Sequence, residues 1–459
     1  MIPYVRDETA ADATPIWPVA KTDFEAWSET QAPEVRTWLK QSNFKPKAGA
    51  TCLLPAADGR LAGVVLGLGD KPDLWAYGGL AAGLPPGDYR IAVDLDPDAA
   101  TAAATAWALG SYRFTRYRKS ENAFATLGLP ANADAGLAAR TVAGAFLARD
   151  LINTPADHMG PSELSGAAEE LAGRHGAAFR AVVGEALLAE NYPAIHAVGR
   201  ASDDPPRLID ITWGDAAAPK LTLVGKGVCF DTGGLDLKTS AGMLKMKKDM
   251  GGAATVLGLA EMVMDAGLPV RLRVLVPAVE NAVAGNAYRP GDIIATRKGL
   301  SVEVGNTDAE GRIVLCDALA DGDAEQPDLM IDCATLTGAA RVALGPDLPA
   351  LFTDDDGLAA DLARHGAAQC DPVWRLPLYA PYAERLKSPV ADLSNVGDGP
   401  FAGAVTAALY LKSFVAEAKV WAHFDTYAWN DADRPGRPKG GEPLAMRALY
   451  ATIAERFGG

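Results

Sequence analysis

The stretch LTLVGKGVCFDTGG (residues 221–234) opens a unit whose reading decides the fold. Its first ten residues form a β-like apolar run. After a lysine-rich loop comes GGAATVLGLAEMVMDAG (251–267), with apolar residues at helical spacing and a glycine stop, and then VRLRVLVPAV (270–279), β-like again. Downstream the alternation continues. DIIATRKGLSVEV (292–304) reads as a hairpin around Lys298 and Gly299, RIVLCDALADG (312–322) as a helix, and PDLMIDCATL (327–336) as a strand. Strands alternating with helices of this length predict a largely parallel sheet covered on both faces. Ligands of such sheets sit at the carboxyl ends of the strands.

Upstream, AGLAARTVAGAFLARDLIN (135–153) has helical periodicity and ends before Pro155, and a second helix is expected from Pro161 to Arg174. Together they read as connecting helices, 135–175, between an N-terminal domain, 1–134, and a C-terminal domain, 176–459. The first part mixes short strands, GVVLGLG (63–69) and YRIAVDL (89–95), with Ala-rich helical stretches. Its basic patch, YRFTRYRKSEN (112–122), reads as a solvated face or a domain or subunit contact. The expected class is α/β, a small N-terminal α/β domain followed by a larger domain with a mixed, mainly parallel sheet covered by helices.

At 459 residues with 49% apolar and 22% charged residues, the composition is that of a globular protein with room for two domains. A net charge of −15 opposes non-specific binding to nucleic acid. Cys52, Cys229, Cys316, Cys333 and Cys370 form no CxxC pair and are odd in number, so buried thiols in a reducing compartment are expected. The N-terminus has early acids and no apolar core of a signal peptide, and no run approaches the roughly 18 apolar residues of a membrane helix. The expected location is cytoplasmic.

Placed on the strand–loop–helix pattern, the charged groups collect at one edge of the sheet. Lys226, Asp231 and Lys238 follow the first strand, Asp249 precedes the next helix, and Asp308, Glu310 and Arg312 fall in NTDAEGRIVLCDAL (306–319). Singly, each has a plain structural explanation, as helix cap, turn residue or first-turn charge. Together, four carboxylates at one edge could not all stay ionised without cations. Divalent ions with hard oxygen ligands, Mg²⁺, Mn²⁺ or Zn²⁺, would neutralise them, and ion pairs of this kind serve peptidases, phosphatases and nucleases alike. None of the five histidines (His158, His175, His196, His365, His423) falls among these segments, so a histidine-based zinc site is not expected. Lys226 could join as a neutral amine, its pKa depressed by a metal. GKGVCF has Phe230 where a dinucleotide fingerprint needs its third glycine, and neither a phosphate-binding GxxxxGK[ST] loop nor a GxSxG elbow occurs.

NTDAEGRIVLCDAL, LVGKGVCFDTGGLDLK, MKKDMGGAATV, DCATLTGA and, more loosely, ADLSNVG and WAHFDTYAW together resemble the leucyl (cytosol) aminopeptidases. The resemblance covers most of residues 140–430; before it, only GSYRFTRY matches. It implies a zinc-exopeptidase-like catalytic domain, and a metal-dependent enzyme releasing N-terminal residues from peptides with a free N-terminus, in peptide catabolism. It also implies two ions, Mn²⁺ or Zn²⁺ with Mg²⁺ as a further option. Asp231, Asp308 (with its carbonyl) and Glu310 would hold one; Lys226, Asp231, Asp249 and Glu310 would hold the other. Lys238 would polarise the scissile carbonyl, and Arg312 would hold a bicarbonate acting as general base. Met246, Thr335 and Gly338 would line the pocket for the N-terminal side chain, in a homohexamer. NDADRPGRPKGGEPLAMRAL (430–449) departs from the usual short Gly-rich connection, so a preference for leucine does not carry over. Thr232 and Cys316 replace a common Ser and Ala. The competing readings are a two-metal hydrolase of another class, such as phosphoesters, and a DNA-binding role known from some members.

Overall fold

The run 221–230 folds as two strands, Lys220–Gly225 and Gly227–Asp231, parted at Lys226. The break is built from backbone hydrogen bonds. The Lys226 amide donates to the Cys333 carbonyl at 3.0 Å, and the Lys226 carbonyl accepts from Ala253 at 2.9 Å, so this residue ties its strand to a neighbouring strand and to a helix start. These positions come from a computed structural model that describes residues 1–71, 73–119 and 123–458.

The chain divides into two units, Met1–Phe146 with Asp431–Lys439, and Leu147–Asn430 with Gly440–Gly459. The first carries a six-stranded sheet in the order Val5–Arg6, Thr126–Gly128, Asp88–Ile91, Thr14–Val19, Leu61–Gly67, Thr51–Pro55. Its pairs are parallel except the last, which is antiparallel. The expected strand 89–95 stops at Ile91. Asp96 caps the helix Pro97–Gly110, its Oδ1 accepting from Ala99 N at 2.8 Å, and the chain must turn to reach that cap. Segment 431–439 belongs to this unit through Gly436, whose amide donates to Gly78 O at 2.9 Å, and through Arg437, stacked 4.2 Å from the Trp75 ring. In the basic patch Arg113, Arg116, Arg118 and Lys119 are exposed; residues 120–122 lie outside the described residues.

The second unit is built on a nine-stranded sheet. Its path is Trp374–Arg375, Ala350–Phe352, Trp421–Asp425, Leu329–Ala334, Lys220–Gly225, Arg271–Asn281, Arg207–Trp213, Ala178–Val183, with Gly227–Asp231 paired to Arg271–Asn281. The four central strands are mutually parallel, and antiparallel pairs flank them on both sides. The sheet is therefore mixed and mainly parallel at its centre. Successive residues of a strand face opposite ways, and the strand Lys220–Gly225 supplies both faces with contacts. A Cβ at Gly225 would meet Val256 and Ala253 of the helix Gly251–Asp265, while Thr222 packs near Gly322 of the helix Glu310–Asp323. Both helices are buried almost along their whole length. Helix Glu310–Asp323 starts two residues earlier than its apolar periodicity suggests, because Glu310 and Gly311 form its first turn. Its later acids are structural. Asp317 accepts from Ala194 N and Arg297 N at 2.8 Å each, and Asp323 receives the amides of Ala416, Glu417 and Ala418.

The hairpin forms as Ile293–Ala295 against Ser301–Glu303. Helices Ala135–Asn153 and Pro161–Arg174 take their expected spans. Of the five cysteines, all free, four are buried and Cys370 is partly so.

Candidate metal centre

The carboxyl ends of the central strands deliver the charged groups to one cavity of about 500 Å³. Lys226 follows the strand Lys220–Gly225, Asp231 ends Gly227–Asp231, Thr335 follows Leu329–Ala334, and Asp425 ends Trp421–Asp425. Asp249 closes the 3₁₀ turn Met246–Lys248, and Asp308 and Glu310 sit at the start of helix Glu310–Asp323. Lys238, Met246, Arg312 and Gly338 line the same cavity. Every residue singled out from the sequence for chemistry thus meets here.

Within the cavity two lysines each span two acids. The Lys226 ammonium lies 2.7 Å from Asp249 Oδ2 and 2.8 Å from Glu310 Oε1, and donates to Thr335 O at 2.9 Å. Lys238 is 2.7 Å from Asp231 Oδ2 and also pairs with Asp308 Oδ1. Asp231, Asp249, Glu310 and Lys226 are all buried; Asp308 is open to solvent. One oxygen each of Asp231, Asp308 and Glu310 can be chosen so that all lie within 4.8 Å of one another, which suits a metal ion.

Charge decides how far this cluster can be satisfied by protein alone. Four carboxylates pair with two ammonium groups, and the Lys248 ammonium beside Asp249 is a third, so the mostly buried cluster stays net negative. Burial first, and the neighbouring Asp249 next, push Asp231 up to about 6; burial and Asp231 push Glu310 up to about 7. Asp308 is also raised, chiefly by desolvation. Desolvation works against the Lys226 charge, but Asp249 and Glu310 outweigh it and hold its proton above the usual lysine range. Burial opposes the Asp249 charge too, but Lys226 and Lys248 outweigh it and hold that carboxyl below its usual range. Asp231, Asp308 and Glu310 are costly to ionise here without further cations, and the donor set is all hard oxygen plus one amine, so divalent ions fit.

Supporting groups fix the geometry. Asp231 Oδ1 accepts from Gly233 N and Asn281 Nδ2, each at 2.8 Å, and Thr335 Oγ1 donates to Asp249 Oδ1 at 2.8 Å. Thr307 joins the two loops, its hydroxyl donating to Gly233 O at 2.6 Å and its amide to Asp236 Oδ2 at 2.8 Å. Gly311 is required by close approach, since a Cβ there would lie 2.6 Å from Lys226 Cε. Arg312 Nη1 donates to Asn395 O at 2.6 Å, while its buried Nε has no hydrogen-bond partner, which leaves a donor for an anion. Asn395 holds the preceding turn, accepting from Gly305 N at 2.7 Å and donating to Asn306 O at 2.7 Å.

Asn281, Asn395, Thr307, Lys248, Arg341 and Tyr427 were not among the candidates read from the sequence. Thr307 lies in NTDAEGRIVLCDAL, Lys248 in MKKDMGGAATV, Asn395 in ADLSNVG and Tyr427 in WAHFDTYAW, so those motifs carried a signal; Asn281 acts as a hydrogen-bond partner, which no spacing reveals.

The chain is similar to known proteins over most of its length. Residues 146–450 match the model of the cytosol aminopeptidase family, catalytic domain, and residues 14–130 match the M17 aminopeptidase N-terminal domain. The crystal structure of a cytosol aminopeptidase from Coxiella burnetii superposes with a TM-score of 0.94 at 48% identity, covering 99% of each chain. The bottromycin maturation enzyme BotP in complex with Mn aligns with a TM-score of 0.86 at 32% identity, over 97% of this chain and 100% of that one. A probable cytosol aminopeptidase of Roseiflexus castenholzii is 42% identical over 382 residues, 78% of this chain and 77% of that protein. A peptidase B of Serratia proteamaculans is 45% identical over 313 residues, 66% and 72% of the respective chains.

Proposed function

The chain belongs to the cytosol aminopeptidase family and is a metal-dependent exopeptidase acting on peptides, and from that premise we propose how its side chains divide the work. Asp231, Asp308 through its side chain and carbonyl, and Glu310 would hold one divalent ion. Lys226 as a neutral amine, Asp231, Asp249 and Glu310 would hold a second. When bound, two Mn²⁺, Zn²⁺ or Mg²⁺ ions supply a water acidic enough to attack near neutral pH, and an Arg312-held bicarbonate supplies its general base. The observation that carries this reading is the pair of lysines spanning four acids, with one oxygen each of Asp231, Asp308 and Glu310 within 4.8 Å of one another.

Lys238, at the mouth of the cluster, would orient the scissile carbonyl and offset the charge growing on its oxygen, an effect worth about 3 kcal/mol per preorganised donor. Arg312 is anchored by Asn395 O, so its free guanidinium edge keeps a fixed aim. Met246, Thr335 and Gly338 would line the pocket for the N-terminal side chain. A homohexamer in the cytoplasm, serving peptide catabolism, completes the proposal. Among the described residues no helix is long and apolar enough to cross a membrane.

The test is a metal-defined activity profile. Protein dialysed against chelator and reloaded with Mn²⁺ or Zn²⁺ should release N-terminal residues from unblocked peptides. Phosphoester turnover without peptide cleavage would select the other two-metal reading, and DNA retardation that survives loss of the metal ligands would favour a binding role.

A further inference from the structure

The loop that follows strand Leu329–Ala334 carries two of the residues assigned to the side-chain pocket, Thr335 and Gly338. Outside any strand, its backbone groups must find partners elsewhere. Thr335 is tied to the metal cluster, its carbonyl accepting from Lys226 and its hydroxyl donating to Asp249 Oδ1. The rest of the loop is held by one carboxylate. Asp425 Oδ1 accepts from Leu336 N and Thr337 N at 3.1 Å each, and Oδ2 accepts from Thr337 Oγ1 at 2.6 Å. The same Thr337 hydroxyl accepts from Ala340 N at 3.0 Å and so caps the helix Gly338–Leu344. Asp425 thereby fixes both the loop and the start of the helix that carries Gly338.

Asp425 is only 3% exposed, and a buried carboxylate needs a counter-charge. Two residues earlier on the same strand, and so on the same face, stands His423. Its Nδ1 pairs with Asp332 Oδ1, Trp421 Nε1 donates to Asp332 Oδ2 at 2.8 Å, and Phe352 stacks on the imidazole. With Nδ1 taken by Asp332, the buried Nε2 has no hydrogen-bond partner. A neutral ring would leave that nitrogen an orphan acceptor, whereas the imidazolium sets positive charge beside two acids. Burial pushes Asp425 above the ordinary carboxylate range, and His423 is the strongest influence against it, ahead of Thr337 and Leu336. Burial also opposes the imidazolium, but Asp332 and then Asp425 outweigh it, with Arg312 acting against them. The other cations facing Asp425 are Arg312 of helix Glu310–Asp323 and Lys248 of the turn Met246–Lys248.

We propose that the buried row Asp332, His423 and Asp425 sets the pocket loop for substrate, with Asp425 as the positioning residue and the His423 imidazolium as its counter-ion. The inference rests on the aminopeptidase reading above and adds a charge-dependent support to that same site. Neither His423 nor Asp425 touches the reacting atoms; they act through the backbone of residues 336 and 337.

The experiment measures KM and kcat of the Mn²⁺-loaded protein on leucine 4-nitroanilide across pH. Asp425→Ala strips the acceptor from three loop donors and should raise KM on the order of tenfold, more than it lowers kcat. Asp425→Asn keeps an oxygen for the two amides and should recover most of that loss. As pH falls, protonation of Asp425 releases the loop, so KM should rise at acid pH. In His423→Gln burial acts on Asp425 with less opposition, and this rise should begin at higher pH. In the Asp425→Asn background the same His423→Gln substitution should shift nothing. Thr337 is partly exposed, so Thr337→Val, which should raise KM, and Thr337→Ser, which should rescue it, give the answer even where the buried variants fail to fold. The proposal is overturned if Asp425→Ala or Thr337→Val leaves KM at the parent value, if the Asn variant is as poor as the Ala one, or if His423→Gln leaves the acid rise in place. If no substrate is cleaved, the aminopeptidase reading is what fails. Calorimetric binding of free leucine then decides the positioning role: affinity weakened by Asp425→Ala and restored by Asp425→Asn supports it, and equal affinities overturn it.

Discussion

Lys226 and Lys238 serve as counter-ions to the four acids in this structure, yet their surroundings separate them. Lys226 is enclosed by Asp249, Glu310 and the Thr335 carbonyl, whereas Lys238 reaches Asp231 and Asp308 from the cavity mouth. Their substitutions should therefore diverge. Asp308→Ala and Glu310→Ala are expected to lose bound metal and activity together, as read by metal analysis and turnover. Lys238→Ala should keep its metal and lose on the order of a hundredfold or more in kcat; lost metal in that variant would contradict its assignment to the carbonyl. Asn395→Ala removes the side chain that ties Gly305 and Asn306 together, and should cost about 1–3 kcal/mol of stability by denaturant titration. The acids and lysines themselves were legible in the sequence because the strand–loop–helix pattern gathers them at one edge of the sheet. Thr307 and Asn395 lie within quoted motifs but did not stand out there, and Asn281 lies in none, since a neutral hydrogen-bonding side chain looks the same in a site as in any turn.

At the level of elements, the sheet's central strands and the two helices on its faces place the cluster. Helix Gly251–Asp265 docks through Gly252, where a Cβ would fall 2.0 Å from the Cys333 carbonyl oxygen. Gly252→Ala must push the helix off the strand Leu329–Ala334, and is expected to lower stability by about 3 kcal/mol, the upper end for overpacking, visible as a drop in Tm. The helical period of 251–267 and the apolar runs at 221–230 and 270–279 were sufficient to read a strand–helix–strand unit. The break at Lys226 was not readable, because it is imposed by Cys333 and Ala253, residues distant in sequence from one another. In the same way the early end of strand Asp88–Ile91 follows from the Asp96 cap, a local competition that apolar patterning does not register.

Over the whole molecule, stability and assembly give the remaining expectations. In the sheet interior His423 Nδ1 pairs with Asp332 Oδ1 at 2.5 Å, and both side chains are fully buried. Burial opposes the imidazolium, but Asp332 and then Asp425 raise the His423 pKa above 6.5. A group whose folded pKa is raised stabilises the fold fully below its unfolded pKa and loses that contribution as pH rises through the folded one. Denaturation midpoints should thus fall above about pH 6.5 in the parent protein, and the fall should be smaller in His423→Gln. Added Mn²⁺ should raise Tm by mass action, an effect absent from Glu310→Ala, and sedimentation should show a hexamer. By itself the sequence determined the alternation of strands and helices, the acids and lysines of the centre, and through its motifs the family, because periodicity and residue type are local properties of a chain. Only the tertiary structure decided the mixed strand order, the place of 431–439 in the first unit, and the meeting of Lys248 and Arg341 on Tyr427. These depend on which distant segments close on each other, and packing rather than local pattern sets that.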